Sequence, residues 1–229
     1  MDRHAVLREQ LIDAAERTIA EKGLTALKAR DLAREVGCAV GTIYNVFEHL
    51  DELVLCVGSR TLAMLEAALR AVHAPSRHGS ADEAVADMVR LALAYLGFAA
   101  EHTVRWRALF EHRMSEARPL PEWFVEQQHR LFAQLERPLE ALLPELDRDT
   151  RRILSRTAFS AVHGIVALGL EEKLVSLPLP ELADQLATTV RAIATGRDQL
   201  RAIDRGDRPA DYRQAPSHPR ANGRTGGGR

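Results

Sequence analysis

The chain has 229 residues with 46% apolar content, enough for a buried core in one large or two modest domains, which excludes a disordered or fibrous polymer. A formal net charge of -1 with 28% charged residues gives no gross electrostatic pull toward nucleic acid, so any DNA contact must come from local placement of donors. Cys38 and Cys56 are the only cysteines, too few for a disulfide framework and without zinc-site spacing, so free thiols and no metal or cofactor are expected.

The first residues, Met1-Asp2-Arg3-His4, run directly into a charged amphipathic pattern, with no signal-like apolar stretch and no 18-residue apolar run anywhere. A soluble, cytoplasmic protein without membrane association is expected. Over residues 4 to 22, Leu7, Leu11, Ala15 and Ile19 recur about four apart while Glu9, Asp13, Glu16 and Arg17 take other faces, which predicts an amphipathic helix ended by Gly23. Leu27, Leu32 and Val36 supply the contacts of a shorter helix that Gly37 terminates. A third helix is expected from about Val40 to Phe47, with Ile43 and Phe47 inward and Val40, Gly41, Thr42, Tyr44 and Asn45 nearer solvent or DNA. Helix, tight turn and second helix with polar groups on one face form the layout of a helix-turn-helix DNA reader. Seven Arg and Lys face eight Asp and Glu over residues 1 to 50, so the acidic groups must lie mainly away from DNA.

From Asp51 the texture changes to long helices: about Asp51 to Val72, Ala81 to Ala100, Thr103 to Met114, Pro121 to Leu143, Asp149 to Lys173 and Glu181 to Ile203. The Ala74 to Ser80 stretch combines Pro, Gly and Ser and predicts a loop, and Pro138 predicts a kink inside the Pro121 to Leu143 helix. Residues 204 to 229 read as a disordered tail, with six Arg, three Pro and a Gly-Gly-Gly run. The fold expected is all-α, with a three-helix head over 1–50, a helical body over 51–203 and the tail.

A reading helix must offer short polar side chains to base edges and phosphates while packing locks its other face. Thr42, Tyr44 and Asn45 meet the first condition, Ile43 and Phe47 the second, and Gly41 removes bulk near the helix start. The stretch LAREVGCAVGTIYNVFEHLDEL, Leu32 to Leu53, resembles the DNA-binding region of the TetR family of transcriptional regulators, whose Gly-Thr-hydrophobic-Tyr and Phe motif is matched by Gly41, Thr42, Ile43, Tyr44 and Phe47. The resemblance implies phosphate contacts for Thr42 and Tyr44, sequence selection by Val40, Gly41 and Asn45, and a further DNA contact from Arg30. Three positions depart from the family pattern: Leu50 stands where Lys is common, Ala39 where a Ser or Thr cap is common, and Lys28 where Thr is common. Lys28, Arg30 and His49 are candidates to compensate. Trp106, in RWRALFEHRM, and His163-Gly164, in AFSAVHGIVALGL, resemble the marker residues of the TetR subgroup with a WHG-type C-terminal domain.

The resemblance implies a repressor released from double-stranded DNA by a small molecule. Met88, Tyr95, Phe98, Trp106, Phe110, Met114, Trp123, Phe124, Phe132, Phe159 and His163 are the candidates to enclose a mostly apolar cavity for a hydrophobic effector. Small residues Ala158, Ala161, Gly164 and Ala167, with a Leu182, Leu186, Val190 and Ile193 stripe, predict a four-helix homodimer interface that would space two heads roughly one DNA turn, about 34 Å, apart. Two rival classes stand beside this reading. An enzyme would need a motif that His49, His102, His112, His129 and His163 do not form, and a helical interaction module with a weakened head would carry carboxylates across the reading face.

Overall fold

The computed structural model describes residues 3–72, 80–114, 119–171 and 177–196. Among them the fold is all-α, with nine α-helices and one 3-10 turn. Helices α1 (Arg3–Lys22), α2 (Ala29–Val36) and α3 (Val40–Val46) form the head, and a single turn at Leu24–Ala26 links α1 to α2. The chain leaves α2 at Gly37, whose φ of 76° is left-handed backbone that L side chains resist, and Cys38 N–H closes the helix on the Ala33 carbonyl at 2.9 Å.

Leu11, Ile12, Ala15 and Ile19 of α1 meet Leu32, Ala33, Ile43 and Phe47 in the head core. This core does not stop at residue 50. It includes Leu53, Val54 and Val57 from the first turns of α4 (Leu50–Val72), and Ala108 from α6 (Thr103–Glu111). Further along α4, Leu62, Leu65 and Leu69 enter the body core, so one helix belongs to both hydrophobic clusters.

Helix α5 (Ala81–Glu101) is the axis of the body, packing against α4, α7 (Glu122–Leu142) and α9 (Leu179–Thr195). Ser80 starts it by accepting from the Glu83 backbone N–H, and Asp147 caps α8 (Arg148–Gly169) by accepting from Asp149 and Thr150. Helix α7 continues through the buried Pro138. The ends expected near Lys173 and Ile203, the loop residues 74–79 and the tail over 204–229 lie outside the described residues.

One expectation needs correction. Leu182, Leu186 and Val190, read above as a subunit-facing stripe, are buried inside the protomer core beside α5 residues. The spacing indicated a buried face, and α9 lies over α5 closely enough to bury it without a second subunit. Helix α8 behaves differently, because Ile153, Thr157, Ser160, Ala161 and Leu168 all remain exposed.

The left-handed backbone at Gly37 sets the angle between α2 and α3. Gly37→Ala is expected to destabilise the protein by about 1–2 kcal/mol, measured by urea denaturation, whereas an unchanged midpoint would show that the turn tolerates a Cβ.

Candidate nucleic-acid interface and body cavity

The turn ending α2 delivers Ala39 in extended conformation, and α3 then starts with no side-chain cap, only Thr42 N–H bonded to the Ala39 carbonyl at 2.9 Å. Ile43 and Phe47 are fully buried, which fixes the opposite face of α3 outward. Tyr44 is 50% exposed, Asn45 and Gly41 are exposed, and Val40 and Thr42 are half-buried. A Cβ built on Gly41 meets no atom within 4 Å, so packing within the protomer does not require glycine there. His49 is half-buried, with its Nε2 turned inward, 3.6 Å from Glu48 Oε1.

The placement of charge resolves the unfavourable balance noted in the first 50 residues. Glu35 pairs with Arg17 at 2.7 Å and Asp31 with Arg34 at 2.8 Å. Arg60 of α4 gathers Glu9, Asp13 and Glu16 at 2.7, 2.6 and 2.5 Å. Lys28 and Arg30 are exposed and have no ion-pair partner among the described residues. The head therefore neutralises most of its carboxylates internally and leaves these two cations available.

The Arg60 cluster also joins the head to the body. Arg105 of α6 bonds the second oxygen of Glu16, so one carboxylate of α1 bridges α4 and α6. Burial raises the Glu16 carboxyl, but the bonds from Arg60 and Arg105 outweigh it and hold the group below the usual carboxylate range. Arg8 completes the seam: it bonds Glu52 and the Cys56 Sγ at 3.2 Å and lies over the Phe47 ring. Sequence reading missed Arg60. The signal was available, since Glu9, Asp13 and Glu16 repeat along one side of α1 and Arg60 interrupts an otherwise largely apolar stretch of α4.

In the body, Trp106, Tyr95 and His163 form a hydrogen-bonded chain. The Trp106 indole N–H donates to the Tyr95 oxygen at 2.8 Å, and Tyr95 lies 2.8 Å from His163 Nδ1. An indole can only donate, so Tyr95 accepts from Trp106, while the direction of its bond with His163 Nδ1 follows the imidazole tautomer. Burial lowers the His163 pKa, which favours the neutral imidazole, and raises the Tyr95 phenol far above its usual value. Phe110 and Phe159 cover the imidazole at centroid distances of 4.2 and 5.7 Å.

Beside this chain lies an apolar cavity of about 60 Å³ between α4, α5, α7, α8 and α9. Met88, Tyr95 and Phe159 line it, as do Phe132, Leu65 and Ile193. The remaining candidates stand outside its wall. Phe98 packs on His102, Trp106 is buried behind Tyr95, and the Phe110 ring lies on His163 at a 46% exposed position. Met114 rests against the body core, Trp123 is 41% exposed with its edge to Phe124, and His163 is engaged with Tyr95. Ligand sites commonly measure roughly 300–1,000 Å³, so a drug-sized guest requires the surrounding helices to part. No His, Cys, Asp or Glu cluster among the described residues is arranged to hold a metal, and no described helix is long and apolar enough to cross a membrane.

A head with a helix-turn-helix on a helical body containing an apolar cavity defines the class of DNA-binding bacterial regulators. Residues 11–56 match the model for bacterial regulatory proteins of the tetR family, and residues 88–193 match that for the tetracyclin repressor-like C-terminal domain. The two matches together take in the head and most of the described body, and the chain has the TetR-family regulatory fold, that of a family of regulators and not of enzymes. Among characterised relatives, it is 29% identical over 180 residues to the HTH-type transcriptional regulator BetI of Rhizobium meliloti, covering 76% of this chain and 81% of that protein. It is 40% identical over 63 residues to an uncharacterized HTH-type transcriptional regulator of Haemophilus influenzae, a match covering 28% of this chain and only 34% of that relative. The fold is shared with a protein of unknown function from Rhodococcus sp. RHA1, at a TM-score of 0.62 and 23% identity, over 81% of this chain and 94% of that one.

The Glu16 bridge has a defined pH signature. A carboxyl whose folded pKa is depressed stabilises the fold fully above its unfolded pKa, and the contribution is lost as pH falls through the folded value. Glu16→Gln is expected to lower stability by about 1–2 kcal/mol at pH 7, with the gap to the unmodified protein closing below the ordinary carboxylate range. Urea titrations across that range test this, and a gap independent of pH would show that Glu16 acts by packing alone.

Proposed function

We propose that the protein is a homodimeric repressor that holds a palindromic DNA operator with its two α3 helices and releases it when a hydrophobic small molecule enters the body. The observation that carries the DNA reading is the charge arrangement of the head: its carboxylates are paired with Arg17, Arg34 and Arg60, while Lys28, Arg30, Tyr44 and Asn45 are exposed. This favours a working reader over a helical interaction module with a weakened head, which would present carboxylates at that face. Thr42 and Tyr44 take the phosphates, and Val40, Gly41 and Asn45 face base edges. Lys28 and Arg30 add contacts that make up for Leu50 and the uncapped Ala39, whereas His49 keeps its Nε2 turned inward.

The dimer reading rests on α8. Ile153, Thr157, Ala161 and Leu168 are exposed along one face, and Gly164, on the same face, has no atom of the protomer within 4 Å of a built Cβ. Nothing inside the protomer needs these residues to be small or apolar, whereas a second copy of α8 crossing closely does. Trp106, His163 and Gly164 also support a body of the WHG type. Helix α4 couples the parts, since its first turns pack in the head and its last turns wall the cavity through Leu65 and Leu69. A guest that prefers one disposition of α4 changes the separation of the heads and with it DNA affinity.

Selection of bound duplexes from random DNA, followed by titration of the selected sequence, tests the DNA reading. Tyr44→Phe is expected to weaken binding by about tenfold on all sequences, and Asn45→Ala to change base preference. Full affinity and unchanged preference in both variants would remove these roles.

The dimer is tested separately by sedimentation. The unmodified protein is expected to sediment as a dimer at micromolar concentration and Ala161→Glu as a monomer, because two carboxylates would meet across a tight interface. A monomeric unmodified protein refutes the proposed interface.

A further inference from the structure

Phe132 belongs to two spaces at once. Its ring meets Phe159 edge-on at 5.4 Å and both rings wall the apolar cavity. Phe132 also lines a polar pocket of about 290 Å³ between α7 and α8, with His129, Glu136, Arg148, Asp149, Arg152 and Arg156. The three arginines are four residues apart, so they stand one above another on the same face of α8. The Arg156 guanidinium lies 5.9 Å from the Phe132 ring centroid, Arg152 has a long 3.7 Å pairing with Asp149, and Arg148 has no ion pair among the described residues.

Two features determine what kind of guest suits this pair of spaces. The single hydroxyl on the cavity wall, that of Tyr95, is already engaged by Trp106 and His163, so the cavity offers no free polar anchor. Any polar end of a guest must emerge from it. Across Phe132 the pocket places three guanidinium groups against the carboxylates of Glu136 and Asp149, an excess of one positive charge. That excess suits one negative charge, and the forked guanidinium donors match a carboxylate.

We infer that the effector is an amphipathic monoanion, a carboxylate on a slender apolar chain, with the chain in the cavity and the carboxylate beyond Phe132 at Arg152 and Arg156. This rests on the cavity being the effector site. It goes beyond a generally hydrophobic effector, because it specifies the charge of the head group and the residues that select it. A cavity of about 60 Å³ must widen for any sizeable guest, and an unbranched chain requires less parting of the helices than a fused ring system. Glu136 and Asp149 disfavour a head group carrying two or more negative charges.

Calorimetric titration of the full-length protein with decanoate, 1-decanol and decyltrimethylammonium, each below its micelle concentration, tests the inference. Decanoate is expected to bind most tightly. Arg152→Gln and Arg156→Gln should each weaken decanoate by about tenfold and leave decanol within about twofold, with circular dichroism verifying the fold of both variants. Equal affinity for decanoate and decanol, tighter binding of the cation, equal losses for both ligands in the variants, or no decanoate binding at millimolar concentration would each overturn it. Titration of the selected DNA duplex with each ligand present separates this inference from the function it rests on. Arginine-dependent decanoate binding that leaves duplex affinity unchanged would keep the site and refute the effector reading. Release of the duplex by decanol, with decanoate binding no better, would keep that reading and refute the carboxylate selection.

Discussion

The fold turns on α4, a helix held at one end by the head core and at the other by the body core. Leu53, Val54 and Val57 share the first cluster with Ile43 and Phe47, and Leu62, Leu65 and Leu69 share the second with Tyr95 and Trp106. Between the two sets stands Arg60, holding three carboxylates of α1, one of which also binds Arg105. Apolar burial thus joins both domains to the same rod, and directional charge pairing sets the rotation of α1 about it. Neither interaction alone would define the attitude of α3.

The same pairing explains how a nearly neutral chain can contain a DNA-reading face. Charge counted along the sequence is a poor measure of charge at a surface, because oppositely charged residues on neighbouring helices cancel where they meet. Here Arg17, Arg34 and Arg60 cancel carboxylates on the flanks of the head, so the exposed groups near α3 set the local potential. In the body, the Trp106–Tyr95–His163 chain consumes the polar atoms that would otherwise border the cavity. In both regions, named polar groups are paired within the protomer beside the surface they border: the carboxylates of the head with arginines, and the Tyr95 hydroxyl with Trp106 and His163.

Most of the fold was legible because helical periodicity and its breakers act locally. Gly23 and Gly37 end α1 and the α2 turn, and both have positive φ. Ile43 and Phe47 point inward as their spacing requires. Long-range partnership was not legible. Leu182, Leu186 and Val190 show that periodicity identifies a face to be buried but not its partner, which is α5 of the same protomer. Arg60 reaches across 44 to 51 positions in sequence to its carboxylates, and the local patterns that single out Arg60 and the acidic side of α1 do not pair the two. The aromatic residues of the body all pack somewhere, yet only Tyr95, Phe132 and Phe159 border the cavity, while Phe98 of α5 and Phe124 of α7 lie on the same helices outside its wall. Side-chain type recorded the supply of cavity material, whereas the position of each side chain in the fold determined its use.

The internal neutralisation of the head bears on how a regulator of the proposed kind would search a genome. Affinity for arbitrary DNA comes from releasing counterions condensed on the phosphates, and it grows with the number of cations presented. A head that pairs Arg17 and Arg34 with its own carboxylates and Arg8 with Glu52 of α4 presents fewer free cations, releases fewer counterions and binds random sequence more briefly than its arginine count implies. Its selectivity then depends on a weak background more than on an exceptionally tight site, and competition from bulk chromosome withholds few molecules from the operator.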